Sequence, residues 1–334
     1  MRLSMQKHPV GIIAAACHLP PETTTLSKIL SAENVNGAGP KVAALGFTGV
    51  HVFTGESPTD MAVEVSRQAL AEAGVSPLDL DAVIDFSVMP QRYVEPAWSM
   101  SNELQAELGA KNAFTLGFSG GGAANVHAAI KFATALILAN DDVDTVLLAA
   151  SDQAISGNRV IGAGDEPVTV IGDAASALIL RRDAGRARVV DTRLASRGAL
   201  HDVLYIPGGG MRHPTRLDLY KLTLDAEKYA AADRHGALGS LVDALLSRHG
   251  LAREGIDRFL TAHVSDADLA GFDAALAAGD RLVRPDASAR GHLHSSDLVF
   301  GLRDLLAGDE TPDTVLMASH GMGFSYGATL LRFQ

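Results

Sequence analysis

The sequence predicts an α/β protein made of two copies of one βαβαβαββ unit. Three observations carry this. Short apolar runs alternate with segments whose apolar residues recur every three or four positions, as strands alternating with helices do. Glycine is frequent, at 33 of 334 residues, and aromatic residues make up only 5%, which fits tight packing with many strand–helix junctions. Third, segments recur in order. LDAVIDFSV (80–88) is echoed by IDRFLTAHV (256–264), VDTVLLAASD (143–152) by PDTVLMASHG (312–321), and GDAASALILRR (172–182) by GFSYGATLLRF (323–333). Ordered self-similarity marks a duplicated unit. It divides the chain into an N-terminal half, 1–184, and a C-terminal half, 185–334.

In the first half, Pro9–Cys17 reads as a strand, and residues 31–55 as irregular and Gly-rich with a short strand at Val50–Phe53. Pro58–Ala73 is an amphipathic helix stopped by Gly74. Ala82–Val88 is a buried strand, followed by a loop at 89–97 that carries Arg92 and Tyr93. Trp98–Leu108 is a helix closed by Gly109. Ala113–Phe118 reads as a short buried strand. The helix after it, Gly121–Ala139, has apolar residues at Val126, Ala129, Ile130, Ala133 and Leu136–Leu138. Thr145–Ala150 is a strand, 153–167 a loop, and Val168–Ile171 with Ala174–Arg181 a strand pair around Gly172 and Asp173.

The second half repeats this order. Ala187–Ser196 is a strand, and 198–217 is a long loop holding His201 and GGGMRHP (208–214). Leu219–His249 reads as one long helical region, Ile256–Ala262 as a strand ending at His263, and Asp266–Ala278 as a helix. Arg281–Arg284 is a short strand, Ala287–Ser295 a turn, and Ser296–Ala307 a helix. Thr314–Ser319 and Ser325–Phe333 are the last strands.

The formal net charge of −11 argues against a nucleic-acid partner. The single cysteine, Cys17, allows no internal disulfide and reads as a small core residue. Its run, VGIIAAACHLP, is too short and too poorly flanked for a signal peptide or a membrane span. The expectation is a cytoplasmic protein with no membrane association.

The chemistry centres on Ser119, in NAFTLGFSGGGAAN (112–125). A serine on a strand-to-helix turn among glycines presents its hydroxyl to a cleft beside the free N–H groups of a helix start. That arrangement suits acyl transfer, with the hydroxyl attacking a carbonyl and backbone N–H groups holding the oxyanion. Its bland counterpart is a helix-capping serine in a Gly-rich turn. Superposing the repeats sets Ser87 on His263 and the Ser119 turn on the turn bearing His292. All three segments end predicted strands, where open α/β sheets bind ligands, so Ser119, His263 and His292 should converge on one cleft.

At these residues the chain resembles β-ketoacyl-acyl-carrier-protein synthase III, a thiolase-fold enzyme, nearly end to end. AFTLGFSGGG is similar to that family's nucleophile turn, TAHVSDADL to its histidine strand end, and RGHLHSSD to its Gly-Asn-Thr turn. GDAASALIL and ASHGMGFSYGATLLRF resemble its two Gly-containing strand pairs. The resemblance implies the thiolase-like fold, with the two halves layered α-β-α-β-α. It also implies an acyl-CoA or acyl-carrier-protein thioester as substrate, delivered on CoA or phosphopantetheine, with no bound cofactor, and a homodimer joined through the Ala113–Phe118 strand.

The motifs also depart from the family. Its nucleophile is cysteine, and here Ser119 or Gly120 occupies that place. The family's Asn matches His292, and the second Asn of its histidine motif matches Asp266, while His263 is retained. A serine at this position resembles a branch containing starter-unit enzymes of polyketide pathways and acyl-transferring relatives in antibiotic assembly. In that branch a residue such as His201 can face the pocket.

The expected catalytic set is therefore Ser119, His263, His292 and Asp297. A serine hydroxyl is hardly ionised at neutral pH and needs a base, which His263 or His292 can be. Asp297, five residues after His292, can orient it in a Ser-His-Asp arrangement, or it is simply a carboxylate at a helix N-terminus. Backbone N–H groups of Ser119, Gly321 and Gly323 are the expected oxyanion hole. Gly120, His201 and His320 are expected near the pocket, and His294 and His320 read as bystanders to the chemistry. The HxH at 292–294 lacks a third ligand at suitable spacing, so no metal is expected. Acyl transfer through Ser119 is the favoured activity. A decarboxylative starter-unit condensation with malonyl carrier protein and a catalytically inactive partner subunit are the alternatives.

Overall fold

The longest apolar runs of the sequence become one mixed sheet. The structure is a computed structural model that describes residues 9–91, 98–155, 157–162, 166–284, 286–308, 312–321 and 323–334. The sheet strands are β1 (Val10–His18), β2 (Ala82–Asp85), β3 (Phe114–Gly117), β4 (Thr145–Asp152), β5 (Ala174–Arg182), β6 (Ala187–Ser196), β7 (Arg258–Leu260), β8 (Thr314–Gly321) and β9 (Ser325–Phe333). Their order is β7-β8-β9-β6-β1-β5-β4-β2-β3. The two halves meet between β1 and β6 over a short register, Gly11 with Arg188 and Ile12 with Ala187.

Outward from that seam the order reads alike in both directions. β9 and β5 are antiparallel to the inner strands, then come β8 and β4, then β7 and β2 running parallel to their neighbours. Where β3 lies parallel to β2 in the first half, Leu282 makes a single parallel bridge to Phe259 of β7 in the second. The repeat seen in the sequence is thus a repeat of topology.

Among the described residues six helices of nine residues or more complete the layers: α1 (Pro58–Ala73), α2 (Met100–Leu108), α3 (Asn125–Ala139), α4 (Arg234–Ser247), α5 (Asp266–Leu276) and α6 (Ser296–Ala307). Helix α3 buries Val126, Ile130 and Ile137, and α6 buries Leu298, Val299 and Leu302. Both lie in one cluster with Leu148 and Leu180 of the first half and Met317 and Leu331 of the second. They form the middle layer. Helices α1 and α2 cover the outer face of the first half, and α4 and α5 that of the second.

The result is α-β-α-β-α, the layering expected from the sequence. Strand β5 shows the alternation behind it: Leu178 and Leu180 face the middle layer, Ala177 and Ile179 the outer one. Among the described residues one helix, Gly122–Ala139, is long and apolar enough to cross a membrane by length and composition. Here it is the core helix between the two sheet halves.

The helix over 58–73 has a full N-terminal signature. Ser57 and Asp60 form a capping box, Pro58 starts the helix, and Gly74 closes it at φ 61°.

Other segments depart from the sequence reading. Thr169–Val170 pairs with Val160–Ile161, not with β5. Asp173 prevents the hairpin. Buried, it accepts N–H bonds from Phe53 and Ala154 and both prongs of the Arg159 guanidinium, which pins the chain in a crossover. The long helix expected over 219–249 breaks into Ala226–Ala231 and α4, with a short strand at Thr223–Leu224. Asp225 and Asp233 each accept a backbone N–H as caps, so each begins a helix.

The strand expected at 281–284 is the end of a 3₁₀ turn plus the Leu282 bridge. The Arg281 guanidinium takes up the carbonyls of Ile256 and Ala277 there. Residues 31–55 are less irregular than expected, with a helix at Gly39–Ala43 and a strand at Gly49–His51 paired to Thr23–Thr25. Strand β3 is a half-exposed edge and not a buried strand, with Phe114 57% exposed. Arg92 and Tyr93 lie outside the described residues.

Candidate active site

At the carboxyl ends of β2, β3 and β8 the Ser119 turn, the His292 turn and the turn at the end of β8 close around a cavity of about 1070 Å³, whereas His263, expected in the same cleft, is not in its wall. Its wall includes Ser119, Gly120, His201, His292, His320, Gly321 and Gly323, with apolar surface from Met89, Phe118, Ile161, Leu204 and Val264.

The Ser119 turn is built by its glycines and by Asn125. Gly120 and Gly122 sit at φ 85° and 55°, a region costly for other residues. The Asn125 carbonyl accepts the Gly121 N–H at 2.9 Å, and its amide donates to the carbonyls of Ser87 and Phe118 at 3.0 and 3.4 Å. The Asn thus ties the turn to the end of β2. Ser119 is exposed, and its hydroxyl makes no hydrogen bond among the described residues.

Both other turns dock on this one. Ser295 donates to the Gly122 carbonyl at 3.1 Å and Ser319 to the Ala123 carbonyl at 2.9 Å. Gly321 lies so close that a Cβ on it would overlap the Gly121 carbonyl. His127 of α3, fully buried, bonds Thr329 and Ser319 at 2.8 and 3.2 Å. Burial lowers it to a pKa of about 3, so it is a neutral staple between α3 and the β8–β9 pair.

His292 and Asp297 form the arrangement expected from their spacing. Nδ1 of His292 lies 2.8 Å from Oδ2 of Asp297. The same oxygen accepts the backbone N–H groups of His263 at 3.0 Å and Leu293 at 3.2 Å. A carboxylate at Nδ1 fixes the proton there and leaves Nε2 as the basic nitrogen.

His263 is buried behind the wall, where its neighbour Val264 is the lining residue. Its Nε2 lies 3.1 Å from Asp266 Oδ1, its ring packs on Phe47, and its Nδ1 is buried without a partner. His201 lines the cavity from the exposed loop after β6. Gly209 and Pro214 of the GGGMRHP stretch line it too.

Among the described residues the N–H groups of Ser119 and Gly323 make no hydrogen bond, which leaves both free for an oxyanion.

Several site residues went unread in the sequence. Asn125 stands three residues after the glycine run, the one amide among the small residues there, which is the signal that could have found it. His294, which read as a bystander, is in the wall at φ 53° with its ring edge-on to His292 at 4.9 Å. Burial first, and then the neighbouring His292, hold it neutral, well below the usual imidazole pKa.

Asp152 ends β4 beneath the cavity. Its Oδ1 accepts the N–H groups of Val88 and Met89 at 2.7 Å each, and its Oδ2 is buried without a partner. Burial raises its pKa to about 7.

One group has metal-like spacing among the described residues: His235, Asp268 and His320, with ligand atoms within 4.8 Å of one another. Both histidines already aim Nε2 at one Asp268 oxygen, and Arg234 Nε stands 3.7 Å from it. A fixed guanidinium beside the ligand oxygen opposes a cation, so the trio reads as a hydrogen-bond network.

No family model matches the chain. It is 25% identical over 289 residues to the β-ketoacyl-[acyl-carrier-protein] synthase III of Oleidesulfovibrio alaskensis, covering 83% of this chain and 85% of that one. It is 27% identical to the enzyme of the same name from Nitratidesulfovibrio vulgaris, covering 84% of each. Among solved structures, the 3-oxoacyl-[acyl-carrier-protein] synthase III of Aquifex aeolicus superposes with a TM-score of 0.80 at 18% identity, over 97% of this chain and 100% of that one. The priming β-ketosynthase of the R1128 polyketide pathway gives 0.81 at 19%, over 97% and 96%. The acyltransferase ChlB3 gives 0.79 at 21%, over 97% and 98%. Sequence relatives and structural neighbours alike are synthase III-like proteins, and the chain has their thiolase-like fold.

Proposed function

We propose that this protein is an acyltransferase. It takes an acyl group from a CoA or phosphopantetheine thioester, holds it as an oxyester on Ser119, and passes it to an acceptor. The observation that carries this is His292, bonded to Asp297 at 2.8 Å and standing in the wall of the same cavity as Ser119. Nε2 of His292 takes the Ser119 proton as the hydroxyl attacks the thioester carbonyl. The N–H groups of Ser119 and Gly323 hold the oxyanion, with Gly321, whose place is in the β8–β9 ladder, as the residue that brings Gly323 to the site, and the thiolate leaves. His263 positions His292 through the shared Asp297, and His201 contacts the donor at the mouth. The cavity has room for an acyl-pantetheine arm.

The likeness to the R1128 priming ketosynthase supports a role in polyketide assembly, and that to ChlB3 supports acyl transfer. The symmetric strand order supports reading 1–184 and 185–334 as the two halves of this site.

A second reading has its own observation. The residue that takes the left-handed backbone at the head of the turn, at φ 85°, is Gly120 and not Ser119, and the Ser119 hydroxyl has no partner among the described residues. If Gly120 holds the nucleophile's place, the chain is an inactive partner subunit.

Intact-protein mass spectrometry after incubation with a panel of acyl-CoA and acyl-carrier thioesters separates the two. The expected result is a covalent adduct on the wild type, none on Ser119→Ala, and turnover reduced by about 10²–10⁴ in His292→Ala. An adduct of wild-type level on Ser119→Ala sinks the assignment, and no adduct or product across the panel favours the partner subunit. Adding malonyl carrier protein then identifies decarboxylative condensation by CO₂ release.

A further inference from the structure

His320 stands in the cavity wall with partners that no step above employs. Its Nε2 lies 3.3 Å from Oδ1 of Asp268, and Nε2 of His235 lies 3.0 Å from the same oxygen. Asp268 is in the first turn of α5, His235 in the first turn of α4, and His320 near the end of β8. Three elements thus converge on one carboxylate. The place is made for them: a Cβ on Gly271 would overlap the His235 ring, and Ser265 caps the Asp268 N–H at 3.1 Å.

Burial alone would raise the Asp268 carboxyl. The charges and hydrogen bonds of His320 and His235 override it and hold the group ionised, well below the usual carboxylate range. With Nε2 taken by the carboxylate, Nδ1 is the nitrogen His320 has left for the cavity. His292 is arranged the opposite way, with Nδ1 held by Asp297 and Nε2 left over. The cavity therefore has two His–Asp pairs. The second sits beside the Ser119 turn, because Gly321, the next residue, is pressed on Gly121.

Transfer through an acyl-serine has two halves, and each removes a proton from a different nucleophile. His292 serves Ser119. What the second half needs depends on the acceptor: a thiol of pKa about 8.5 is partly ionised near neutral pH, whereas an alcohol is not and requires a base. We propose that His320, positioned by Asp268 and His235, is the base that activates the acceptor, and that the acceptor is an alcohol. This rests on Ser119 as the acyl carrier. The alcohol oxygen attacks the acyl carbonyl as its proton moves to Nδ1 of His320. The new acyl–oxygen bond forms and the acyl–Oγ bond of Ser119 breaks. Oγ recovers its proton from His292, which kept it when the thiolate left. His320 then loses its proton to solvent, from which the thiolate takes one, so thioester plus alcohol gives ester plus thiol.

The test compares acceptors within one protein. Wild type and His320→Gln are loaded with the acyl-CoA that labels the wild type, then given ethanol, trifluoroethanol or N-acetylcysteamine. His320→Gln should still form the acyl-enzyme and slow transfer to ethanol by about 10²–10⁴. It should slow transfer to trifluoroethanol less and leave transfer to the thiol nearly unchanged. The ratio between acceptors is internal to each protein, so a partly unfolded variant does not obscure it. Asp268→Asn should move the ratio the same way. Equal slowing for every acceptor, or none, overturns the proposal, as does activity that EDTA removes and Zn²⁺ restores. If no adduct forms but product does, the Ser119 reading fails, and the same ratio measured on product still decides the role of His320. Neither adduct nor product overturns both.

Discussion

Asp152 shows how one buried carboxyl links the site to stability. Its two accepted N–H bonds favour the ionised form, but burial outweighs them and raises its pKa from 3.8 to about 7. In the unfolded chain the group releases its proton near 3.8, while in the folded protein it keeps it to about 7. Between those values the folded state binds more protons than the unfolded one, so stability falls as pH rises through the window. Asn at this position retains a carbonyl for Val88 and Met89 and cannot ionise. Asp152→Asn should therefore flatten the pH dependence of Tm between about pH 4 and 7, and gain relative to wild type only at the upper end. A wild-type Tm that climbs over this range through Asp152 would reverse the sign and exclude the buried, proton-holding carboxyl. The neighbouring His292 lowers the Asp152 pKa, so the same titration should appear in the pH profile of acylation.

The elements that carry the site were legible because their signals are local. Gly74 at the end of the 58–73 helix, the glycines flanking Ser119, and the five-residue step from His292 to Asp297 each name a structure by themselves. What could not be read depends on contacts distant in sequence. Asp173 stops a hairpin by binding Arg159, and His320 meets Asp268 and His235 from two helices. Asp225 and Asp233 were readable as caps in principle, but their helical surroundings hid them within one long periodic stretch. Gly321 lies between these cases. Its glycine run was visible, and the reason for it is the carbonyl of Gly121 across the cavity wall. Gly321→Ala would push β8 away from the Ser119 turn, at a cost of about 1–3 kcal/mol as for other overpacked positions. It should lower Tm and acylation together. A variant with wild-type Tm and wild-type adduct formation would mean that the two turns do not rely on this approach.

At the scale of the whole molecule, the sheet is closed at one end and open at the other. Beside β7 the Leu282 bridge and the 3₁₀ turn before it cover the edge, whereas β3 has β2 on one side and, among the described residues, no strand on the other. Phe114 is 57% exposed, and Phe118, which follows the strand, meets Phe132 edge-to-face at 5.5 Å. An edge with free N–H and C=O groups and aromatic side chains invites pairing with another chain unless it is covered. A twofold axis beside β3 would pair the strand with its own copy, bury Phe114 twice, and form a closed, self-complementary interface. We predict such a homodimer. The strand runs directly into the Ser119 turn, so the interface would also hold the nucleophile's approach in place. Sedimentation should show a dimer at micromolar concentration, Phe114→Lys should shift it to monomer, and specific acylation activity should fall with the dimer fraction. A wild-type protein that sediments as a stable monomer at those concentrations, with full activity, would leave β3 as a tolerated open edge and remove the dimer from the mechanism.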